Sequence, residues 1–210
     1  MPNHETNTVV IIGKPENVAR FVEEATVSRE ELSHDELGWG MSLSDYPERM
    51  IDFEKIVPPP ENIETGGCPG HGGMNGSGEY IEVDEKTGEQ RVRTCWYWWN
   101  TEKWGTKWGA YGHSHFDHFT FKPFSSDEVL GRVDLKFETA WSQPTPIFEA
   151  IEERWDVEVH AVTQDEGGFP DVEFGNPWEH LSREVTVNFE VWGRIEEAAD
   201  YKEGSVEDGR

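Results

Sequence analysis

The hydrophobic and polar pattern of this chain changes period several times, and each change marks a predicted element. Residues 8–13, Thr-Val-Val-Ile-Ile-Gly, are a short apolar run closed by glycine, the pattern of a buried strand. Pro15 suits the first turn of a helix, and Val18, Phe21, Val22 and Ala25 follow at helical spacing. Residues 26–49 are polar and irregular, with one short helix predicted through 28–32. Residues 50–57 lead into Pro58-Pro59-Pro60, which cannot join a ladder and predict a rigid extended segment at the surface. The glycine-rich stretch 66–78 predicts a loop. Residues 79–83 alternate, 84–89 carry a Lys-Thr-Gly turn, and 90–99 resume a strand pattern, which together predict a hairpin. On that reading Trp96 and Trp98 share one face of the second strand, and Tyr97 and Trp99 the other. Alternation over 118–122 and 132–139 predicts two more strands, and 157–163 and 184–192 another two. Between them, 146–155 predicts a helix with Ile147, Phe148, Ile151 and Trp155 on one face. Strands outnumber helices and mostly follow one another directly, so the expected class is α+β with a mainly antiparallel sheet and two principal helices.

The 210 residues suit a single domain over 1–195, with long loops at 26–49 and 61–78 and an acidic tail at 196–210 expected to fray. Ten Trp, eleven Phe and five Tyr are enough to build a core. No apolar stretch approaches the roughly 18 residues that span a bilayer, and the opening residues lack the pattern of a secretory signal. Two cysteines do not make a disulfide framework, which predicts a cytosolic protein.

Charge changes this picture most. Forty-three acids against eighteen bases leave a net charge of −25, with the acids dispersed and only eight lysines. Such a surface repels phosphate backbones and anionic membranes, so neither direct nucleic-acid contact nor membrane binding is expected. Dispersed acid suits a salt-rich host cytoplasm, where self-repulsion is screened over a few ångströms. The same charge would also serve a DNA mimic, with acids in two rows at phosphate-like spacing.

Several segments together resemble one family. Met1-Pro2-Asn3 and Asn7 through Gly13 resemble the opening of the YubB-like family of phage and plasmid proteins. Asp52-Phe53, Ile56, Pro58 and Pro60 resemble its proline-ended motif. Trp96-Tyr97-Trp98-Trp99-Asn100 followed by Trp104-Gly105-Thr106-Lys107-Trp108 is similar to its most recognisable block. Phe137, Thr139 through Pro146, Ile147, Ala150 and Ile151 resemble a second block that precedes a helix. The likeness runs in order from about residue 1 to 192 with long insertions, and departs at His4 and Glu5, where the family often has Trp and Cys. What it implies is an elaborated ferredoxin-like domain of mobile genetic elements, without a generally established activity.

Two sets of residues carry candidate chemistry. His113-Ser114-His115-Phe116-Asp117-His118 matches H-x-H-x-D-H, a zinc-hydrolase pattern in which bound metal lowers the pKa of a water to about 7; His160 or His180 would be a distant ligand. Cys68, His71 and Cys95 with His113 or His115 are a second, structural zinc set, against the plainer reading of an exposed Cys68 thiol and a buried Cys95. No phosphate-binding glycine motif and no G-x-S-x-G elbow is present.

The favoured expectation is instead a non-enzymatic accessory protein of a haloarchaeal virus or plasmid, with no cofactor, binding an unidentified small molecule or host protein. Its expected site is Trp104, Thr106, Lys107, Trp108, Trp141 and Ser142. The segment 104–108 should bend back over the sheet, burying one Trp and leaving Lys107 beside the 142–144 turn. The competing use of Lys107 is to pair with one of many nearby acids. Trp141, between strand and helix, is expected to plug the core.

Overall fold

A computed structural model describes residues 3–32, 42–64, 66–69, 73–84, 86–123, 127–167 and 172–177. Strand β1 (His4–Gly13) is followed by helix α1 (Pro15–Ala25), then by β2 (Thr26–Ser28) and β3 (Arg49–Ile51), which pair antiparallel. A one-turn helix α2 (Phe53–Ile56), strands β4 (Ile63–Glu64), β5 (Glu79–Val83) and β6 (Gln90–Cys95), and helix α3 (Trp96–Lys103) come next. The chain continues through β7 (Tyr111–Phe121), β8 (Leu130–Ala140), α4 (Thr145–Trp155), β9 (Val157–Asp165) and β10 (Val172–Phe174). The fold is α+β. Its main sheet has the order β10-β9-β1-β8-β7 with antiparallel neighbours throughout; β4-β6-β5 form a smaller sheet with one parallel pair.

The apolar run of β1 is explained by its central place. Val9 and Ile11 enter the main core, while Val10 and Ile12 are buried on the opposite face against Phe121, Leu130 and Val162. A strand covered on both faces has no use for alternation. The main core lies between the sheet and helices α1 and α4: Val18, Phe21 and Ala25 meet Ile147, Phe148, Ile151 and Trp155. Phe21 and Trp155 pack edge to face with ring centres 5.5 Å apart, a favoured aromatic geometry. Gly131 on β8 lets α1 come close, since a Cβ there would sit 3.0 Å from Val18 Cβ and 3.1 Å from Pro15 Cα.

Several sequence expectations change. The predicted second hairpin strand stops at Cys95, and residues 96–103 are helical. The four aromatics reach four different partners: Trp96 Nε1 donates to the Gly66 carbonyl at 3.0 Å, Tyr97 meets Trp141, Trp98 lies on Gly78, and Trp99 meets Trp104 in the core. Side chains about 100° apart can do this; the two faces of a strand cannot. Residues 26–28 and 49, read as irregular, and 50–51, read as the start of the extended segment, are paired strands, and the predicted helix at 28–32 is a 3₁₀ turn, Arg29–Glu31, capped by Ser28. The segment before the prolines is not extended throughout, because Asp52 caps α2 and Phe53 and Ile56 are buried.

The free-thiol reading is overturned. Cys68 and Cys95 are joined by a disulfide, with Cα atoms 5.3 Å apart, so neither is available as a zinc ligand. The cysteine count therefore no longer argues for a reducing compartment. No helix among the described residues is long and apolar enough to cross a membrane. The predicted strand at 184–192, the tail at 196–210, His71 and His180 lie outside the described residues.

Candidate functional site

The site is assembled where the end of α3 meets the junction between β8 and α4. Trp104 caps α3 and is buried; its Nε1 donates to the Val57 carbonyl at 2.9 Å, and its ring meets Phe53 and Trp99 edge-on. The chain then turns at Gly105, with φ +77°. A Cβ there would lie 2.7 Å from Pro146 Cδ, so glycine is required by both conformation and space. Thr106 is buried, and its hydroxyl donates to the Trp108 carbonyl. Asn100 Nδ2 donates to the Lys107 carbonyl at 2.9 Å, the Lys107 N–H reaches the Ala140 carbonyl at 3.4 Å, and the Ser142 hydroxyl donates to the Gly105 carbonyl. These bonds strap 105–108 to 140–143.

Lys107 emerges from this strap between two indoles. Its Nζ lies 4.6 Å from the ring centre of Trp108 and 4.6 Å from that of Trp141. Both rings are exposed, Trp108 at 38% and Trp141 at 42%. Among the described residues, no carboxylate lies within ion-pair distance of Lys107. The bend of 104–108, the burial of one Trp and the position of Lys107 beside Ser142 follow the sequence expectation.

Trp141 does not. It is no core plug: its φ of 80° turns the indole outward, its N–H donates to the Asn3 carbonyl, and the ring rests edge-on against Tyr97, 5.9 Å away. Gln143, in contrast, turns inward, donating to Thr163 Oγ1 and the Val172 carbonyl. Tyr97, not singled out from sequence, completes the platform because residue 97 is helical rather than extended. Tyr111 stands next to Trp108, ring centres 6.3 Å apart, and its hydroxyl is hydrogen-bonded to His4 Nδ1 at 2.8 Å. Burial, then the nearby Glu138, Glu166 and Glu5, push the Tyr111 phenol up to about 12.

The histidine run does not assemble a metal site. Residues 113–118 lie within extended β7, with a break in its pairing between Tyr111 and His115. His113 faces the core side, its ring 6.1 Å from that of Phe137, whereas His115 and Asp117 are within electrostatic reach of Asp134. Asp117 Oδ1 accepts from the His118 backbone N–H. Among the described residues, no three His, Cys, Asp or Glu side chains form a metal-holding group. An extended strand at about 3.3 Å per residue with alternating side chains spreads such a motif out. His160, the suggested distant ligand, is buried and accepts from the Asn176 N–H through Nδ1.

Comparison of the chain with protein-family models, with curated proteins and with solved structures finds no match.

Proposed function

We propose that this chain is a non-enzymatic binding protein that holds a planar, anionic group, on a small molecule or a partner protein, at Trp108, Lys107 and Trp141. The observation that carries this reading is the lysine itself. In a chain of net charge −25, Lys107 is held over two exposed indoles without a carboxylate partner among the described residues. Cation–π contact fixes the ammonium at modest cost and leaves its charge for a ligand, while the indole faces offer stacking area. Thr106 and Ser142 act as positioning residues, since both hydroxyls are spent on backbone carbonyls. Trp104 supports the strap from within the core.

The connectivity supports the finer reading of the fold. Taking β1-α1-β7-β8-α4-β9 alone gives β-α-β-β-α-β with the sheet order β9-β1-β8-β7, which favours an elaborated ferredoxin-like domain. With the YubB-like motifs and the dispersed acid, this favours an accessory protein of a virus or plasmid in a salt-loving host, working in its cytoplasm. Fold alone does not carry function, so the proposal rests on the platform.

The test compares Lys107→Ala with Lys122→Ala, whose native lysine pairs with Asp127 at 2.7 Å away from the platform. Benzoate, nicotinate and a nucleoside monophosphate are titrated by calorimetry. The expected result is at least tenfold weaker binding in Lys107→Ala for whichever probe the wild type binds, with Lys122→Ala unchanged. Equal affinity of the two variants, or no binding of any probe by the wild type, removes Lys107 from the site.

A further inference from the structure

A cavity of about 450 Å³ opens on the other side of the 104–113 segment. That is within the usual size of small-molecule sites. Buried Met50, Ile51, Phe53 and Trp104 give it an apolar floor, and Val27 and Leu32 add a wall. Three carboxylates, Glu31, Asp52 and Glu54, also line it, and no lysine or arginine does among the described residues. Asp52 already caps α2, and Glu31 accepts from the Ser28 N–H at 2.9 Å, so these acids stand on ordered backbone. Tyr46, Tyr111 and His113 complete the lining.

We propose that this cavity binds an apolar organic cation: a ring or short aliphatic body carrying one protonated amine. The three carboxylates stand at the mouth of the pocket, Glu31 and Glu54 exposed and Asp52 half-buried, and their summed negative charge attracts a cation above the apolar floor. The aromatic faces add cation–π attraction for the ammonium and stacking for the body. An anion would meet three like charges with no lysine or arginine among the described lining residues to offset them. His113 does not oppose the cation, because burial pushes its imidazole down to about 4 and leaves it neutral at ordinary pH. The nearby Ala110 backbone offsets part of this effect. His113 thus adds an uncharged polar ring to the lining. The preference is opposite in sign to that of the Lys107 platform, and the two sites do not depend on each other.

Three probes of similar size separate the possibilities: 2-phenylethylammonium, 2-phenylethanol and phenylacetate, each titrated by calorimetry in the same salt. The ammonium is expected to bind one per chain, at least tenfold more tightly than phenylacetate, with the alcohol between. Gly109→Leu fills the cavity without displacing backbone, since a Cβ at 109 would meet nothing closer than Trp104 Cζ3 at 3.9 Å. It should abolish binding while melting near wild type. A second variant, Glu31→Gln with Glu54→Gln, leaves the cavity open and should weaken the ammonium at least tenfold while sparing the alcohol. Lys107→Ala should leave all three affinities unchanged, which separates failure here from failure of the platform. Equal or tighter binding of phenylacetate, ammonium binding that survives Gly109→Leu, or no ammonium binding by folded wild type at millimolar concentration overturns the proposal.

Discussion

Trp141 and Trp155 flank the same helix and meet opposite fates. Trp155 is fully buried against Phe21 and donates to Glu24 at 3.0 Å, whereas Trp141 is 42% exposed with a left-handed backbone. Removing a buried Trp costs about 3–5 kcal/mol, a large part of a domain's stability. Trp155→Ala should therefore lower the melting temperature sharply or prevent folding. Trp141→Gly removes an exposed ring and suits the positive φ, so it should melt within a few degrees of wild type while losing whichever planar anion the platform holds. Calorimetric melts of the two proteins check this directly. Trp155 was legible from its i, i+4 spacing behind Ile151. The outward turn of Trp141 was not, because it depends on the Asn3 carbonyl and on Tyr97, both remote in sequence. Lys107 was legible for a local reason: glycine, threonine and lysine between two tryptophans favour a turn.

Elements with one dominant physical cause were equally readable. The run in β1, the helical stripe of α4 and the hairpin of β5 and β6 each follow from burial pattern and turn chemistry. Helix α3 was hidden because Trp and Tyr favour strands on average, while its actual partners come from four separate places. The short pair β2 and β3 was hidden because three residues carry too little periodicity to detect. The disulfide was hidden as well, since two cysteines 27 positions apart announce nothing without the fold. It ties the Gly66–Pro69 stretch to the start of α3, where Trp96 also bonds Gly66. Closing a loop of that length stabilises by about 3.5 kcal/mol in the chain-entropy account. Reduction should accordingly lower the melting temperature by several degrees, measured with and without reductant at one salt concentration. An unchanged melt would mean that the bond adds nothing to the fold.

For the whole molecule, charge is the governing quantity. A net −25 on one chain of this size sets up self-repulsion that dilute buffer leaves largely unscreened, whereas the Debye length falls to about 3 Å at 1 M salt. The melting temperature should rise steeply between 0.1 M and 3 M KCl, and a flat profile would contradict the reading of a salt-adapted protein. The bond between Cys68 and Cys95 has a separate effect on the molecule as an object. It closes residues 68–95 into a covalent ring that contains the β5–β6 hairpin, with Lys86 exposed at its turn. A protease that cuts after Lys86 therefore opens the backbone without dividing the protein, and the two pieces travel as one particle until the disulfide is reduced.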